Sequence, residues 1–88
     1  MQVLYGKSVL KSIKKGKIPR DIWIDTKDAF DSLAKTNNYR LFDIKKLITK
    51  GTHSYYRLRI RGYRALFRAD KAAIYVEEIG PRGGIYKS

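Results

Sequence analysis

Five arginines between Tyr55 and Ala69 are the residues of this sequence whose type and spacing point to chemistry. In the segment YYRLRIRGYRALFRA, arginine alternates with apolar and aromatic residues on both sides of Gly62. A guanidinium group is always charged at neutral pH, and its planar set of N–H donors matches two phosphate oxygens. Arginines repeated along one side of a strand can therefore hold a phosphate backbone and stabilise extra negative charge on a reacting phosphate.

An alternation of period two predicts β-strands with one buried face, and Gly62 predicts a tight turn between two of them. The side predicted to be exposed carries Arg57, Arg59 and Arg61 before the turn and Arg64, Leu66 and Arg68 after it. The side predicted to be buried carries Tyr56, Leu58, Ile60, Tyr63, Ala65 and Phe67. A second turn, DKA at 70–72, leads into a third predicted strand, AIYVEEI.

The first half of the chain predicts one strand and two helices. MQVLYG favours a strand ending near Gly6, and KSVLKSIKKGK favours a short amphipathic helix ending near Gly16. A longer helix is predicted from Pro19, with apolar residues at spacings of three and four up to TNN at 36–38. The expected fold class is α+β: an N-terminal strand, two helices and an antiparallel β-meander, with the helices packed on one face of the sheet.

Composition limits the partner and the compartment. The 88 residues fit a single domain, 1–88, and 20 lysines and arginines against 8 acidic residues give a formal charge of +12. Such an excess indicates a polyanionic partner, with nucleic acid as the first candidate and an anionic membrane surface as the second. There is no cysteine, and no apolar run approaches the roughly 20 residues of a membrane span. We therefore expect a cytoplasmic protein without disulfides.

Other chemistries find little support in the residues. His53 is the only histidine and has no metal-ligating neighbour, so no metal site is expected. Glu77 and Glu78 are adjacent on a predicted strand, which predicts that they point to opposite faces, although one of them could pair with an arginine. GPRGG lacks the strand, lysine and helix of a phosphate-binding loop. Without further information, the residues predict a basic sheet that binds nucleic acid.

The second half of the chain resembles the RelE-type toxins of bacterial and archaeal toxin–antitoxin systems, within the RelE/ParE superfamily. The similarity covers roughly residues 39 to 88, through DIKKLITKGTHSYYRLRIRGYRALFR and IGPRGGIYK. Its most specific features are LRIRGYR, a basic strand that turns at glycine into Tyr-Arg, and an arginine followed four residues later by a tyrosine. The resemblance implies a compact RelE-like fold for residues 1–88.

The resemblance also implies a function: a toxin that cleaves messenger RNA in the ribosomal A site as a metal-independent, ribosome-dependent endoribonuclease, and so inhibits translation. No cofactor is implied. The implied partners are a cognate antitoxin, the ribosome with its messenger RNA, and operator DNA for the toxin–antitoxin complex alone, with no membrane. The implied catalytic set is Arg57, Arg59, Arg64, Arg82 and Tyr86. Further RNA contacts are expected from Arg61, Arg68 and Lys87.

Arginine at positions 57 and 59 leaves the general base open. Members of the family often have lysine at these two positions, and a desolvated lysine can lose its proton, whereas arginine does not. Tyr86, His53 or a group on the ribosome could accept the proton instead. Two other functions remain as alternatives: a ParE-like toxin that acts on DNA gyrase, and a non-catalytic basic module that binds nucleic acid.

Overall fold

The computed structural model describes residues 1–51 and 53–81. The elements in chain order are β1 (Gln2–Tyr5), α1 (Lys7–Lys14), α2 (Arg20–Thr36), a 3-10 helix (Tyr39–Leu41), β2 (Ile44–Lys50), β3 (His53–Ile60), β4 (Tyr63–Ala69) and β5 (Ala73–Pro81). The strands form a five-stranded sheet in the order β1-β5-β4-β3-β2. β1 is parallel to β5, and the other neighbouring strands are antiparallel. The predicted α+β class is confirmed.

The helices end where the sequence predicts. Gly16, just beyond α1, has a φ of 73°, a conformation that glycine adopts without steric cost. α2 begins directly after Pro19, whose fixed φ suits the entry to a helix. Asn37 closes α2 in the left-handed conformation, and its backbone N–H donates to the Leu33 carbonyl at 2.8 Å. No helix of the described residues is long and apolar enough to cross a membrane.

Both helices pack on one face of the sheet, which we call the inner face. It carries the buried side chains of the strands: Leu58, Ala65, Phe67, Ile74 and Val76. Phe30 of α2 meets Phe67 edge to face, with ring centroids 5.0 Å apart, and Val9 of α1 is buried in the same cluster. Such aromatic contacts add to the free energy gained by burying apolar area. The opposite side of the sheet, the outer face, carries no helix of the described chain.

The hairpin predicted around Gly62 joins β3 and β4. Arg61 and Gly62 form its two-residue turn, with φ angles of 52° and 108°. Positive φ at both positions gives a turn whose twist matches that of the flanking strands. The second predicted turn is held by Asp70, whose Oδ1 accepts hydrogen bonds from the backbone N–H groups of Ala72 and Ala73 at 2.8 and 3.0 Å. Both predicted turns are confirmed.

Two features of the sheet are not apparent from the sequence. β2 forms an edge of the sheet beside β3, with an irregularity in register between Lys46 and Ile48. β1 forms the other edge. It pairs in parallel with β5, although the two helices and the other three strands lie between them in the sequence. These two edge strands bound the outer face, and the arginine-bearing hairpin lies between them.

Candidate nucleic-acid interface

Side chains on the outer face form rows across β3, β4 and β5. Residues paired across neighbouring strands point to the same face, with Cβ atoms roughly 4.5–5.5 Å apart in antiparallel pairs. The register gives three rows on the outer face: Arg59–Arg64–Gly80, Arg57–Leu66–Glu78 and Tyr55–Arg68–Tyr75. Four arginines of the segment therefore share one surface, as the alternation predicts for Arg57, Arg59, Arg64 and Arg68.

Arg59 and Arg64 are the centre of this surface because they are direct partners across the hairpin. Like charges placed opposite each other destabilise a sheet. Gly80, the partner of Arg64 on the other side, adds no side chain above the row. Asp43 lies near Arg59, with its Oδ2 3.6 Å from Arg59 Nε, and it balances part of this positive charge. An anion bound over the Arg59–Arg64 row would remove the repulsion, and phosphate has the oxygens that guanidinium groups prefer.

Arg57 lies deeper in the same surface, with 13% of its side chain exposed. Its Nη2 is 4.0 Å from Asp43 Oδ1, which is the outer limit of an ion pair. Its Nε is buried and meets no acceptor among the described residues. A buried donor without an acceptor costs about 1–3 kcal/mol, and more when it is charged. A bound phosphate oxygen would satisfy this donor.

Arg68 is held differently from the other three arginines. Its Nε donates to Glu77 Oε2 at 2.8 Å, and its guanidinium lies over the Tyr75 ring, 4.2 Å from the centroid. The hydrogen bond to Glu77 raises the pKa of Arg68 further above its already high value. A recess of about 560 Å³ opens beside this cluster, bordered by Leu66 of β4 and by Lys7 at the start of α1. Its size is within the range of pockets that hold small molecules.

Two solved structures of complexes between RelE and RelB share this fold over nearly the whole chain. The archaeal RelE–RelB complex from Pyrococcus horikoshii OT3 contains a chain 26% identical to this one, with a TM-score of 0.78, and the alignment covers 94% of this chain and 96% of that chain. The RelB–RelE antitoxin–toxin complex from Methanococcus jannaschii gives 26% identity and a TM-score of 0.73, with 94% of each chain covered. The chain has the RelE fold and is similar to the RelE-type toxins.

The similarity to RelE is found by comparing structures and not by comparing sequences. No protein-family model matches the chain, and a search of curated proteins finds no match. The resemblance to RelE-type toxins noted in the sequence is confirmed by the two structures, which also share the fold of this chain. In this chain, LRIRGYR supplies the end of β3, the turn and the start of β4.

Arg61 does not share the surface of Arg57 and Arg59, so the prediction that all three face one way is wrong. The strand ends at Ile60, and the positive φ of Arg61 breaks the alternation. Its Nη1 and Nη2 lie 2.9 Å from Asp21 Oδ2 and Asp25 Oδ2, respectively, both on α2. Because α2 covers the inner face, Arg61 is directed towards that side of the molecule.

Glu77 and Glu78 depart from their predicted placement as well. A β-bulge in β5 shifts the register, so that Phe67 pairs with Val76 while Leu66 pairs with Glu78. Glu77 is the extra residue, and it reaches Arg68 on the outer face. Glu78 faces the same way because it pairs with Leu66. The prediction that the two carboxylates point to opposite faces is therefore wrong, and the predicted pairing of one of them with an arginine is confirmed.

Three predicted site residues, Arg82, Tyr86 and Lys87, lie outside the described residues, and their roles stay predictions. The described part of β5 ends at Pro81, the residue before Arg82 in the sequence.

On the edge strand β2, sequence reasoning missed Lys45, which pairs with Arg57 on the outer face. It also missed Asp43, whose carbonyl accepts a hydrogen bond from the Arg59 backbone N–H at 2.9 Å. Neither residue belongs to a recognisable alternation.

Proposed function

We propose that this protein is the toxin of a type II toxin–antitoxin system and that it cleaves messenger RNA in the ribosomal A site. In this proposal it is a metal-independent endoribonuclease of the cytoplasm, and cleavage inhibits translation. The observation that carries the proposal is the direct pairing of Arg59 with Arg64 on a sheet face that no helix of the described chain covers. This pairing costs folding free energy, and a bound phosphate gives a reason for retaining it.

The reaction in question needs little from the protein except position and charge. The ribose 2′-OH attacks the adjacent phosphorus, the bond from phosphorus to the 5′ oxygen breaks, and two protons move. Arg64 is suited to stabilise the extra negative charge on the phosphorus oxygens, while Arg57 and Arg59 hold the same phosphate from the neighbouring strand. The resemblance to RelE-type toxins assigns the same task to Arg82 and a stacking or proton-transfer task to Tyr86.

An antitoxin partner is part of the same proposal. Both similar structures are complexes of RelE with RelB. A chain of charge +12 with an open basic face would also bind RNA without selection unless a partner covered it. We expect the antitoxin gene to neutralise this toxin on co-expression, and we expect binding to operator DNA from the complex and not from the toxin alone.

The experiment that tests the proposal adds the purified protein to translating ribosomes and maps messenger 3′ ends by primer extension. We expect new ends within A-site codons. Replacing Arg64 with alanine should lower the cleavage rate by about 10²–10³-fold, because a donor aimed at the transition state is lost. Affinity for programmed ribosomes should fall much less, since one phosphate contact among several is removed.

Arg20→Ala is the matched control for this experiment. It removes the same charge from an exposed residue at the start of α2, the helix on the inner face, and should leave cleavage within about twofold. Intact messenger with normal translation in the presence of the wild-type protein would contradict the proposal and favour the gyrase-directed alternative. Tight RNA binding without any cut would favour the non-catalytic module.

A further inference from the structure

The general base of the proposed cleavage is the open part of the mechanism, since the four arginines of the outer face cannot accept a proton. His53 begins β3, six residues before Arg59, which places their backbones about 20 Å apart along the strand. Tyr5 directs its ring to Trp23 and Phe30 on the inner face. Neither residue is positioned to act at the Arg59–Arg64 row. Carboxylates on the outer face are a further kind of acceptor in the described chain, besides Lys45, Tyr55 and Tyr75 on the same face.

The bulge in β5 places two carboxylates on the outer face, those of Glu77 and Glu78, and they differ in their contacts. Glu77 is engaged, because its Oε2 accepts from Arg68 Nε at 2.8 Å. Glu78 forms no hydrogen bond or ion pair with any described residue. A regular strand would send one of the two to the inner face, among the helices. The extra residue therefore brings a second, unengaged carboxylate to the arginine surface.

Glu78 is close to the proposed phosphate site by register. It shares a row with Leu66 and Arg57, and Arg64 is its diagonal neighbour across β4 and β5. Diagonal neighbours have Cβ atoms roughly 7–8 Å apart, a gap that an arginine and a glutamate side chain can close around one phosphate ester. Gly80, two residues along β5, has no side chain to fill the space next to Arg64.

We propose that Glu78 is the general base of this toxin, a catalytic residue that accepts the proton of the attacking 2′-OH. The proposal rests on the function proposed above. The 2′ oxygen forms a bond to phosphorus as its proton passes to the Glu78 carboxylate, and the bond from phosphorus to the 5′ oxygen breaks. The 5′ oxygen takes a proton from solvent water or a bound acid, and the products are a 2′,3′-cyclic phosphate and a 5′-hydroxyl. Glu78 later returns its proton to solvent.

Positively charged groups surround Glu78. Those that face it are Arg57 of β3, Arg64 and Arg68 of β4 and Lys7 of α1. Glu77 is the acidic neighbour, and its charge is matched by Arg68. The nearby phenols are Tyr75 of its own strand and Tyr5 of β1. The pKa of Tyr5 is raised to about 12 by burial, so Tyr5 stays neutral over the range in which a nuclease is assayed.

The test measures single-turnover cleavage of messenger on programmed ribosomes as a function of pH, for the wild type and for Glu78→Gln. With a carboxylate base, the wild-type rate should rise with pH on the acid side and then level off. Glu78→Gln should lose about 10²–10⁴-fold of the plateau rate and should lack the acid-side dependence. Glu78→Asp keeps a carboxylate at a greater distance and should recover part of the rate.

Glu77→Gln is the matched control, because it removes the same charge one residue away and on the same face. It should keep the rate and the pH dependence of the wild type to within a few fold. Ribosomes programmed with a messenger that carries a 2′-deoxyribose at the cleaved position measure affinity without cleavage. Glu78→Gln should bind them at least as tightly as the wild type, since a negative charge near phosphates has been removed.

The outcomes separate the base from the proposed function. If the wild type cleaves and Glu78→Gln cleaves at a similar rate with the same pH profile, Glu78 is not the base and the proposed function stands. A rate lost in parallel with affinity, with the acid-side dependence retained, would also overturn the assignment, because it indicates a structural role. If the wild type fails to cleave at any pH, the proposed function fails and the assignment of Glu78 falls with it.

Discussion

On the inner face of the sheet, Leu58 and Phe67 are 1% and 0% exposed, whereas Arg59 and Leu66, each one residue away on the outer face, retain contact with solvent. The inner face lowers the free energy of the folded state by removing apolar area from water. The outer face instead sets Arg59 opposite Arg64, and a pair of like charges raises the free energy of the folded state. The same strands therefore serve two purposes: one side holds the fold together, and the other keeps a site that folding alone would not produce.

Local rules of sheet construction are broken on the outer side. Like charges are paired across the hairpin, Arg57 buries a donor without an acceptor among the described residues, and a bulge interrupts β5 beside Glu78. Natural proteins concentrate such violations at functional sites, where the ligand and not the fold compensates for them. On the inner side, the aromatic rings of Phe30, Tyr56 and Phe67 meet in ordinary edge-to-face and stacked contacts.

The largest expected effect belongs to the inner face. Phe67→Ala should lower the free energy of unfolding by about 3–5 kcal/mol, because it removes a fully buried ring that touches Phe30 and Tyr56 and leaves a cavity. Urea unfolding followed by circular dichroism measures the change. A marginally stable small domain would lose most of its folded population, so the variant should also be examined at low temperature with stabilising salt.

Leu66→Ala makes the matched comparison on the outer face. Leu66 is half-buried, so its truncation should cost about 1 kcal/mol in the same measurement. Because Leu66 lies between Arg57 and Glu78, this variant also shows whether the outer face tolerates a gap without losing the fold. Equal losses for Phe67→Ala and Leu66→Ala would contradict the division between the two faces.

A smaller effect, on RNA affinity, should distinguish Arg59 from Arg61, two arginines of the same segment. Arg59→Ala should weaken binding of a short single-stranded RNA with 2′-methoxy riboses by about tenfold and should lower the salt slope by about one. Arg61→Ala should weaken it by less than about threefold, because Arg61 is engaged by Asp21 and Asp25 on the other side of the sheet. Fluorescence anisotropy over a range of salt concentrations measures both quantities.

Equal losses for the two variants would show that Arg61 leaves its aspartates to reach the RNA. Exposed ion pairs are worth at most about 1 kcal/mol each, so a strong phosphate contact is able to compete with them. The assignment of Arg61 to RNA binding stays a prediction until this comparison is made, and its ion pairs reduce the contribution that we expect from it.

Local signals in the sequence were sufficient for most of the elements and for the arginine rows. Gly16, Pro19 and Asn37 mark helix ends by their own backbone preferences, and period-two alternation identifies β3 and β4. The failures have a different origin. β2 was missed because IKKLITK is an edge strand with an irregular register and two adjacent lysines near its start, so it does not alternate.

The misplaced side chains show where alternation stops being a guide. Arg61 was assigned by extending the period of β3 one residue beyond its last member, into a turn with positive φ. Glu77 and Glu78 were predicted to point to opposite faces as if β5 were regular, but a bulge depends on pairing with β4, which a single segment does not reveal. Both errors came from extending a regular alternation through a position where the backbone departs from it.

The smallest expected effect concerns a polar atom enclosed on the inner face. The hydroxyl of Tyr5 is buried and meets no partner among the described residues, while its ring contacts Trp23 and Phe30. Burial raises the pKa of Tyr5 to about 12, and the charge of Asp31 contributes further. At neutral pH, Tyr5→Phe should change the free energy of unfolding by less than about 1 kcal/mol, and in the stabilising direction, because it removes an unpaired hydroxyl.

The advantage of the phenylalanine variant should grow in alkali. The folded-state pKa of Tyr5 is higher than its ordinary value of 10.0, so its contribution to stability is complete below pH 10 and is lost as the pH rises towards 12. Tyr5→Phe has no such group to ionise, while Tyr39, whose pKa burial also raises, titrates equally in both proteins. Urea unfolding at neutral pH and in this window should therefore show a widening difference. A constant difference would mean that the Tyr5 hydroxyl is accessible to water in the folded protein, and that the inner face is less closed at β1 than at Phe67.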